Sequence, residues 1–222
     1  MDARMAPEAI TTRIGAVALP LGIIMLLVAE FFHPQREHPM DNPAVFMEYA
    51  QSNIWTAVHL AQYFGFLLLL GGLVALFYSV GAEPGAGAGL APFGLAAAVT
   101  AAASFTVLQA VDGIALKRAV DAWARASADQ ETAAFAAAEA IRWTELATNI
   151  LSFFLAGLTL FVYGLAIALD SVYPRWVGSM ACQLFILAGS RGRALGTRRV
   201  KHYPPARAPA KSKGRDTNRG PC

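Results

Sequence analysis

The sequence predicts an all-α fold, a bundle of four transmembrane helices, and two observations carry this prediction. Hydrophobic residues make up 56% of the chain and charged residues only 15%, whereas soluble domains carry about a quarter charged residues. Four apolar segments also approach or exceed the ~20 residues with which a helix crosses ~30 Å of hydrocarbon. They are residues 14–32, 54–80, 90–111 and 146–169. Backbone polar groups find no water in hydrocarbon, so each segment is expected to be helical.

The first apolar segment is interpreted as a retained transmembrane helix. Glu-Phe-Phe-His-Pro follows it where the small-residue cleavage site of a signal peptide would lie. In the connection that follows, Asn42 and Pro43 are typical of an N-cap and a first helical position, which predicts a short surface helix to Gln51. Trp55, at the start of the second span, is interpreted as an aromatic anchor at the membrane interface.

The third and fourth spans are joined by the longest connection, residues 112–142. Its alternation of apolar and charged residues predicts two helical arms outside the membrane, the second running from about Asp129 into the fourth span. Within the third span, Gly94 and Ala98 are four apart and favour close helix packing. Arg142 and Glu145 are three apart and are interpreted as an ordinary ion pair along one helix.

The C-terminal part begins with a short apolar stretch, residues 176–189. As a helix it would be ~21 Å long, so it is either a truncated fifth membrane segment or a helix along the interface. We therefore divide the chain into a membrane bundle, residues 1–178, and a C-terminal part, residues 179–222. The latter ends in a basic tail, which either is solvated and disordered or binds anionic lipid.

Charge also predicts topology in the cell membrane. Residues 191–222 hold ten of the eighteen lysines and arginines. With four spans, the tail lies on the same side as Arg4, Arg13 and Arg175, and the opposite side has five bases. The positive-inside rule then places the N-terminus of this multi-pass protein in the cytoplasm. A spanning fifth segment would move the tail across. Apart from Tyr203, the tail lacks the interleaved aromatic residues of nucleic-acid binders, so no nucleic-acid partner is expected.

Each predicted span carries two polar residues three or four apart, a spacing that places both side chains on one side of a helix. The first and third pairs end their spans, whereas the second and fourth pairs begin theirs. In a chain that weaves through the membrane, all four pairs are therefore expected at the same face, on the extracytoplasmic side. The eight residues of this polar layer, the candidate binding residues, are Glu30, His33, His59, Gln62, Gln109, Asp112, Glu145 and Asn149.

Several functions are consistent with the polar layer. The simplest is a structural network of interhelical hydrogen bonds near the headgroups. A second is a divalent metal site: Glu30 and His33 form a Glu-x-x-His pair like those of di-iron helical bundles. His59, Asp112 and Glu145 would complete a nitrogen and oxygen ligand shell suited to zinc, manganese or iron.

Two further alternatives use the same residues. His33 and His59 on adjacent helices could hold a haem, although the chain has no Cys-x-x-Cys-His attachment motif. The acidic residues with His59 could instead relay protons in a small transporter or proton-coupled component, although broken inverted repeats of known carriers are not evident. No nucleophile–base arrangement identifies an enzyme.

Five segments of the sequence also resemble those of a known protein family. They are His33-Pro34, Trp55-Thr-Ala-Val-His-Leu-Ala-Gln62, Phe105-Thr-Val-Leu-Gln-Ala-Val-Asp-Gly-Ile-Ala-Leu-Lys117, Ala138-Glu-Ala-Ile-Arg-Trp-Thr-Glu145 and Tyr173-Pro-Arg-Trp-Val-Gly178. Over about residues 10–178 the chain resembles a family of small polytopic bacterial membrane proteins of the actinobacterial type, with no established activity. The resemblance implies the architecture and no mechanism. Members continue with apolar helix beyond this point, so the basic tail predicts a shift of reading frame shortly after Gly178.

Overall fold

The computed structural model describes residues 7–82, 84–169 and 173–183, and its regular structure there is helical throughout. The helices are α1 (Pro7–Phe32), α2 (Asn42–Gln51), α3 (Trp55–Val80), α4 (Ala86–Ala110), α5 (Lys117–Ala124) and α6 (Glu131–Ala168). A π-helical turn, Val111–Leu116, joins α4 to α5 without a break. The predicted all-α helical bundle is confirmed.

Four stretches of helix are long and apolar enough to cross a membrane, and they coincide with the four predicted spans. They are Ala9–Phe32, Trp55–Val80, Ala86–Ala124 and Glu131–Ala168. The last contains 38 residues and is therefore ~57 Å long, well beyond the ~30 Å of hydrocarbon. Its N-terminal turns must extend outside the membrane, as the sequence predicts for the second helical arm.

The spanning helices pack in the order α1, α3, α4, α6, so that α1 and α6 are the outer members. Small residues bring α1 and α3 close together. A Cβ atom on Gly22 would lie 2.6 Å from the carbonyl oxygen of Gly65, and one on Gly72 would lie 2.9 Å from the Cα atom of Leu19. Without a hydrophobic drive between helices in lipid, such close approach is a main source of their association.

The contact between α4 and α6 uses the small residues that the sequence singled out. The ring of Tyr163 packs against Gly94, where a Cβ atom would lie 3.1 Å away. Ala98 is fully buried one turn further along. The Tyr163 hydroxyl donates a hydrogen bond to the carbonyl of Leu73 at 2.9 Å and thereby ties α6 to α3.

A cap of α2, α5 and the first turns of α6 covers one end of the bundle. Its buried core comprises Val45, Phe46, Tyr49, Trp55, Leu116, Val120 and Ala138. The predicted surface helix is α2, but its N-cap is Asp41 and not the predicted Asn42. The Asp41 carboxylate accepts a hydrogen bond from the amide of Ala44 at 3.3 Å. The cap therefore has a packed core of its own beside the polar layer.

The interpretation of Trp55 as an interfacial anchor does not agree with the structure. The side chain is only 1% exposed and packs in the core of the cap. Its indole N–H donates to the carbonyl of Asp112 at 3.1 Å. A buried tryptophan that finds such a partner contributes to packing between elements and not to anchoring in headgroups.

Beyond α6, residues 175–183 are helical and fold back onto its end. A Cβ atom on Gly164 would lie 2.9 Å from the carbonyl oxygen of Gly178. The rest of the predicted fifth segment lies outside the described residues, as do the basic tail, its lipid binding and the reading-frame prediction.

Gly72→Ala is expected to lower the free energy of unfolding by about 1–3 kcal/mol, because the added methyl group overlaps Leu19 in a packed interface. Gly71→Ala is the matched control, since a Cβ atom there would lie an ordinary 4.0 Å from that of Ala18. Thermal unfolding of both variants in detergent measures the difference. Equal losses at the two positions would contradict the packing of α1 on α3.

Candidate functional site

The structure brings all eight residues of the polar layer to the capped end of the bundle. Seven of them line one cavity of about 710 Å³: Glu30, His33, Gln62, Gln109, Asp112, Glu145 and Asn149. The eighth, His59, lies beside them, with its Nε2 atom 3.1 Å from Oδ2 of Asp112. The alternation of helix directions therefore brings the four pairs together at one end of the bundle.

His59 is held in one orientation by the helix that carries it. Its Nδ1 atom lies 2.8 Å from the carbonyl oxygen of Trp55, one turn earlier in α3. A carbonyl only accepts hydrogen bonds, so Nδ1 carries a proton and Nε2 is the atom directed away from the helix. The side chain is 3% exposed, and its Nε2 atom faces Oδ2 of Asp112 at 3.1 Å without the geometry of a hydrogen bond. A cation held between the imidazole and the carboxylate would be a ligand partner for both.

His33 follows the end of α1 and repeats this arrangement. Its Nδ1 atom lies 3.1 Å from the carbonyl oxygen of Pro34, which again leaves Nε2 available. The rings of His33 and His59 are in contact, with 5.1 Å between their centroids. Burial lowers the pKa of His33 below its ordinary value, and the neighbouring His59 lowers it further. A lowered pKa favours the neutral imidazole, which is the form that binds metals.

Asp112 faces the two histidines from the π-helical turn. Its Oδ1 atom is buried and has no hydrogen-bond partner among the described residues. The next residue, Gly113, allows α3 to come close: a Cβ atom there would lie 2.8 Å from that of His59. A single π turn inside an α-helix often marks a functional site, and here it directs a carboxylate at two imidazoles.

Together, His33, His59 and Asp112 could hold a metal ion. Each offers one ligand atom, and these atoms lie within 4.8 Å of one another. Two imidazoles and one carboxylate are the protein ligands of several catalytic zinc sites and of non-haem iron sites, which keep at least one position open. The haem alternative fits less well, because the two rings contact each other directly and leave no space between them for a macrocycle.

The other two candidate metal ligands engage different partners. Glu30 accepts hydrogen bonds from Gln35 and, at 3.2 Å, from Gln62. Glu145 accepts from Arg142 at 2.6 Å and from Asn149 at 3.3 Å. Both carboxylates therefore belong to the cavity wall and stand apart from the group of His33, His59 and Asp112.

Sequence reasoning missed the burial of Arg142 and its neighbour Tyr49. The ion pair of Arg142 with Glu145 is buried, with side chains 7% and 3% exposed. The guanidinium carbon lies 5.6 Å from the centre of the Tyr49 ring, in a cation–π contact. Burial raises the pKa of Tyr49 to about 12, so its hydroxyl stays protonated. A possible signal was the ion pair's place in an otherwise apolar helix, directly below a predicted helical arm.

Comparison with known proteins supplies no relative, since no family model, curated protein or solved structure matches the chain. The resemblance drawn from the five sequence segments therefore stays a prediction. The function has to be inferred from the geometry of the polar layer and the cavity.

Arg142→Leu is expected to lower the free energy of unfolding by about 3–5 kcal/mol, because it leaves the Glu145 carboxylate buried without its partner. The double variant Arg142→Leu/Glu145→Leu is expected to recover most of this loss, since neither charge is then buried alone. Denaturation in mixed detergent micelles measures both.

The matched control is Asp121→Asn, which weakens the more exposed ion pair with Lys117, whose side chains are 26% and 16% exposed. Its expected cost is about 1 kcal/mol or less. A double variant as unstable as Arg142→Leu alone would show that the ion pair is not what makes the single change costly.

Proposed function

We propose that the protein is a multi-pass protein of the cell membrane that binds a divalent transition-metal ion through His33, His59 and Asp112. One observation carries this proposal. Both histidines hold their Nδ1 atoms on backbone carbonyls, 3.1 and 2.8 Å away, and so leave their Nε2 atoms for a ligand next to a buried carboxylate. A ligating histidine commonly has such a partner on its other nitrogen.

An unoccupied network would explain the same contacts less well. Nε2 of His59 and Oδ1 of Asp112 are both buried without hydrogen bonds among the described residues. Each buried polar atom left unsatisfied costs about 1–3 kcal/mol. A cation bound between the imidazoles and the carboxylate would satisfy both atoms at once. A purely structural layer would join His59 to Asp112 through the 3.1 Å contact of Nε2 with Oδ2 and would leave Oδ1 unpaired.

The charge of the cavity wall supports a cation as well. Against the single guanidinium of Arg142, the wall carries the carboxylates of Glu30, Glu37, Glu48, Asp112 and Glu145. This excess of negative charge attracts cations and raises their local concentration. Neutral imidazoles with one carboxylate suit zinc, iron(II) or manganese(II). The position left open would face the cavity.

The metal ligation has a direct test. Purified protein, stripped with a chelator and then equilibrated with Zn²⁺ or Co²⁺, is expected to retain about one ion per chain, as a three-ligand site does. His59→Ala and Asp112→Asn are each expected to weaken binding by at least 10- to 100-fold, the loss seen even for outer-shell partners. Elemental analysis gives the stoichiometry, and cobalt absorption reports the ligand geometry.

His38→Ala is the matched control, because His38 lies in the exposed loop between α1 and α2 and outside the candidate ligand group. It should bind the ion as the unchanged protein does. Binding that survives Asp112→Asn and His59→Ala, or that His38→Ala alone abolishes, would contradict the assignment of the metal ligands.

The proposed topology places the N-terminus in the cytoplasm, on the charge bias of the sequence. The cap and the polar layer then lie on the extracytoplasmic side. The two sides can be told apart by cysteines at exposed turns: Ser127 lies between α5 and α6, whereas Gly85 lies between α3 and α4 and has nothing within 4 Å of a Cβ position.

In a background without Cys182 and Cys222, Ser127→Cys is expected to react with a membrane-impermeant maleimide on intact cells. Gly85→Cys is expected to react only after permeabilisation, because its turn faces the cytoplasm. The reverse pattern would invert the proposed topology while leaving the metal proposal intact.

A further inference from the structure

The cavity has two chemically different parts. Its capped end carries the polar layer, whereas its deeper part is apolar. The apolar wall includes Leu26 and Leu27 of α1, Phe66 of α3, Phe105 of α4, and Ile150 and Phe153 of α6. Phe66 and Phe105 stack with 4.4 Å between ring centroids and form its back. An elongated ligand with one polar end would match this division.

The deeper part opens sideways towards lipid. Because α1 packs on α3 and α6 packs on α4, the cavity separates the two outer helices. Its wall includes Leu27, Ile150 and Phe153, which are nevertheless 65%, 72% and 68% exposed. All three lie within stretches that can span a membrane. In a bilayer the acyl chains therefore have direct access to the cavity between α1 and α6.

Two buried polar atoms at the capped end of the cavity have no hydrogen-bond partner among the described residues. They are Oε1 of Gln109, an acceptor, and Nε of Arg142, a donor. The two residues are only 9% and 6% exposed, and both line the cavity. Buried polar atoms are normally paired, so a ligand head group that both donates and accepts would complete this end.

Charge narrows the choice of head group. The cavity wall has more carboxylates than cations, so an anionic fatty acid or phosphate would be repelled. A long-chain ammonium would be attracted by the carboxylates, but it only donates hydrogen bonds and so offers no acceptor to Arg142. A hydroxyl group is uncharged, donates one hydrogen bond and accepts others. It can therefore donate to Gln109 or accept from Arg142.

We propose that the cavity binds a single-chain lipid alcohol that enters from the bilayer between α1 and α6. The hydroxyl lies at the end formed by Gln109 and Arg142, and the chain lies along Phe66, Phe105 and Ile150. A volume of about 710 Å³ is within the usual range of ligand cavities. This binding requires no metal ion and is therefore independent of the function proposed above.

Photocrosslinking in nanodiscs tests the proposal on the full, metal-free chain. Hexadecanol with a diazirine in its chain is added to the protein in phosphatidylcholine discs, irradiated, and mapped by mass spectrometry. Labelling is expected to concentrate on the cavity-facing turns around Leu27 and Ile150. Unlabelled hexadecanol should compete at a concentration roughly tenfold lower than hexadecanoic acid or hexadecylamine, since about 1.4 kcal/mol of head-group preference gives that ratio.

Paired variants locate the entrance. Ile150→Trp fills the opening and is expected to reduce specific labelling roughly tenfold. Leu151→Trp is its matched control, because Leu151 is 52% exposed and lies outside the cavity wall. It should label as the unchanged protein does. Both side chains are largely exposed, so neither substitution disturbs the packed core of the bundle. Size-exclusion chromatography checks that each variant is folded.

A third variant tests the head group. Gln109→Leu keeps the size of the side chain and removes its acceptor, so the preference for hexadecanol over hexadecyl methyl ether, which cannot donate, should disappear. Equal labelling of Ile150→Trp and Leu151→Trp would contradict the proposed entrance between α1 and α6. Hexadecanoic acid competing as well as hexadecanol, or a preference unchanged in Gln109→Leu, would overturn the assignment of an alcohol.

Discussion

The candidate metal site depends on one interlock, between the first turns of α3 and the π-helical turn that follows α4. The indole of Trp55 donates to the main-chain carbonyl of Asp112. Gly113 has no side chain, and this leaves room for His59 to pack against it. A hydrogen bond and a missing side chain thus set the position of one helix against the other. They force an imidazole and a carboxylate together where water is scarce and unsatisfied polar atoms are costly.

The rest of the bundle is arranged around that contact. Small residues let α1 approach α3 and α4 approach α6, and close packing of this kind replaces the hydrophobic drive that lipid does not provide. The separation of α1 from α6 leaves a cavity that begins at the polar layer and opens towards lipid. The cap covers one end of the bundle. Both proposed ligands, a cation and a lipid alcohol, use this interruption in the packing.

Much of the site could be predicted, because hydropathy sets the spans and helical spacing sets which side chains share a face. Glu30 and His33 show where this reasoning stops. Their spacing would place both on one face of a helix, but α1 ends at Phe32, so His33 leaves the helix and reaches His59. The burial of Arg142 could not be predicted from the sequence either. A charged pair at helical spacing has the same sequence pattern whether it is exposed to water or covered by a cap.

The sequence by itself determined four membrane helices, their alternating directions and a polar layer at one face, because these follow from local composition and periodicity. Only the tertiary structure decided which members of that layer meet. The physical reason is that a contact between His59 and Asp112 depends on how far one helix slides and turns against another. Glycines, a π turn and one indole hydrogen bond set the relative position of these helices. Their effect exists only once the helices are packed.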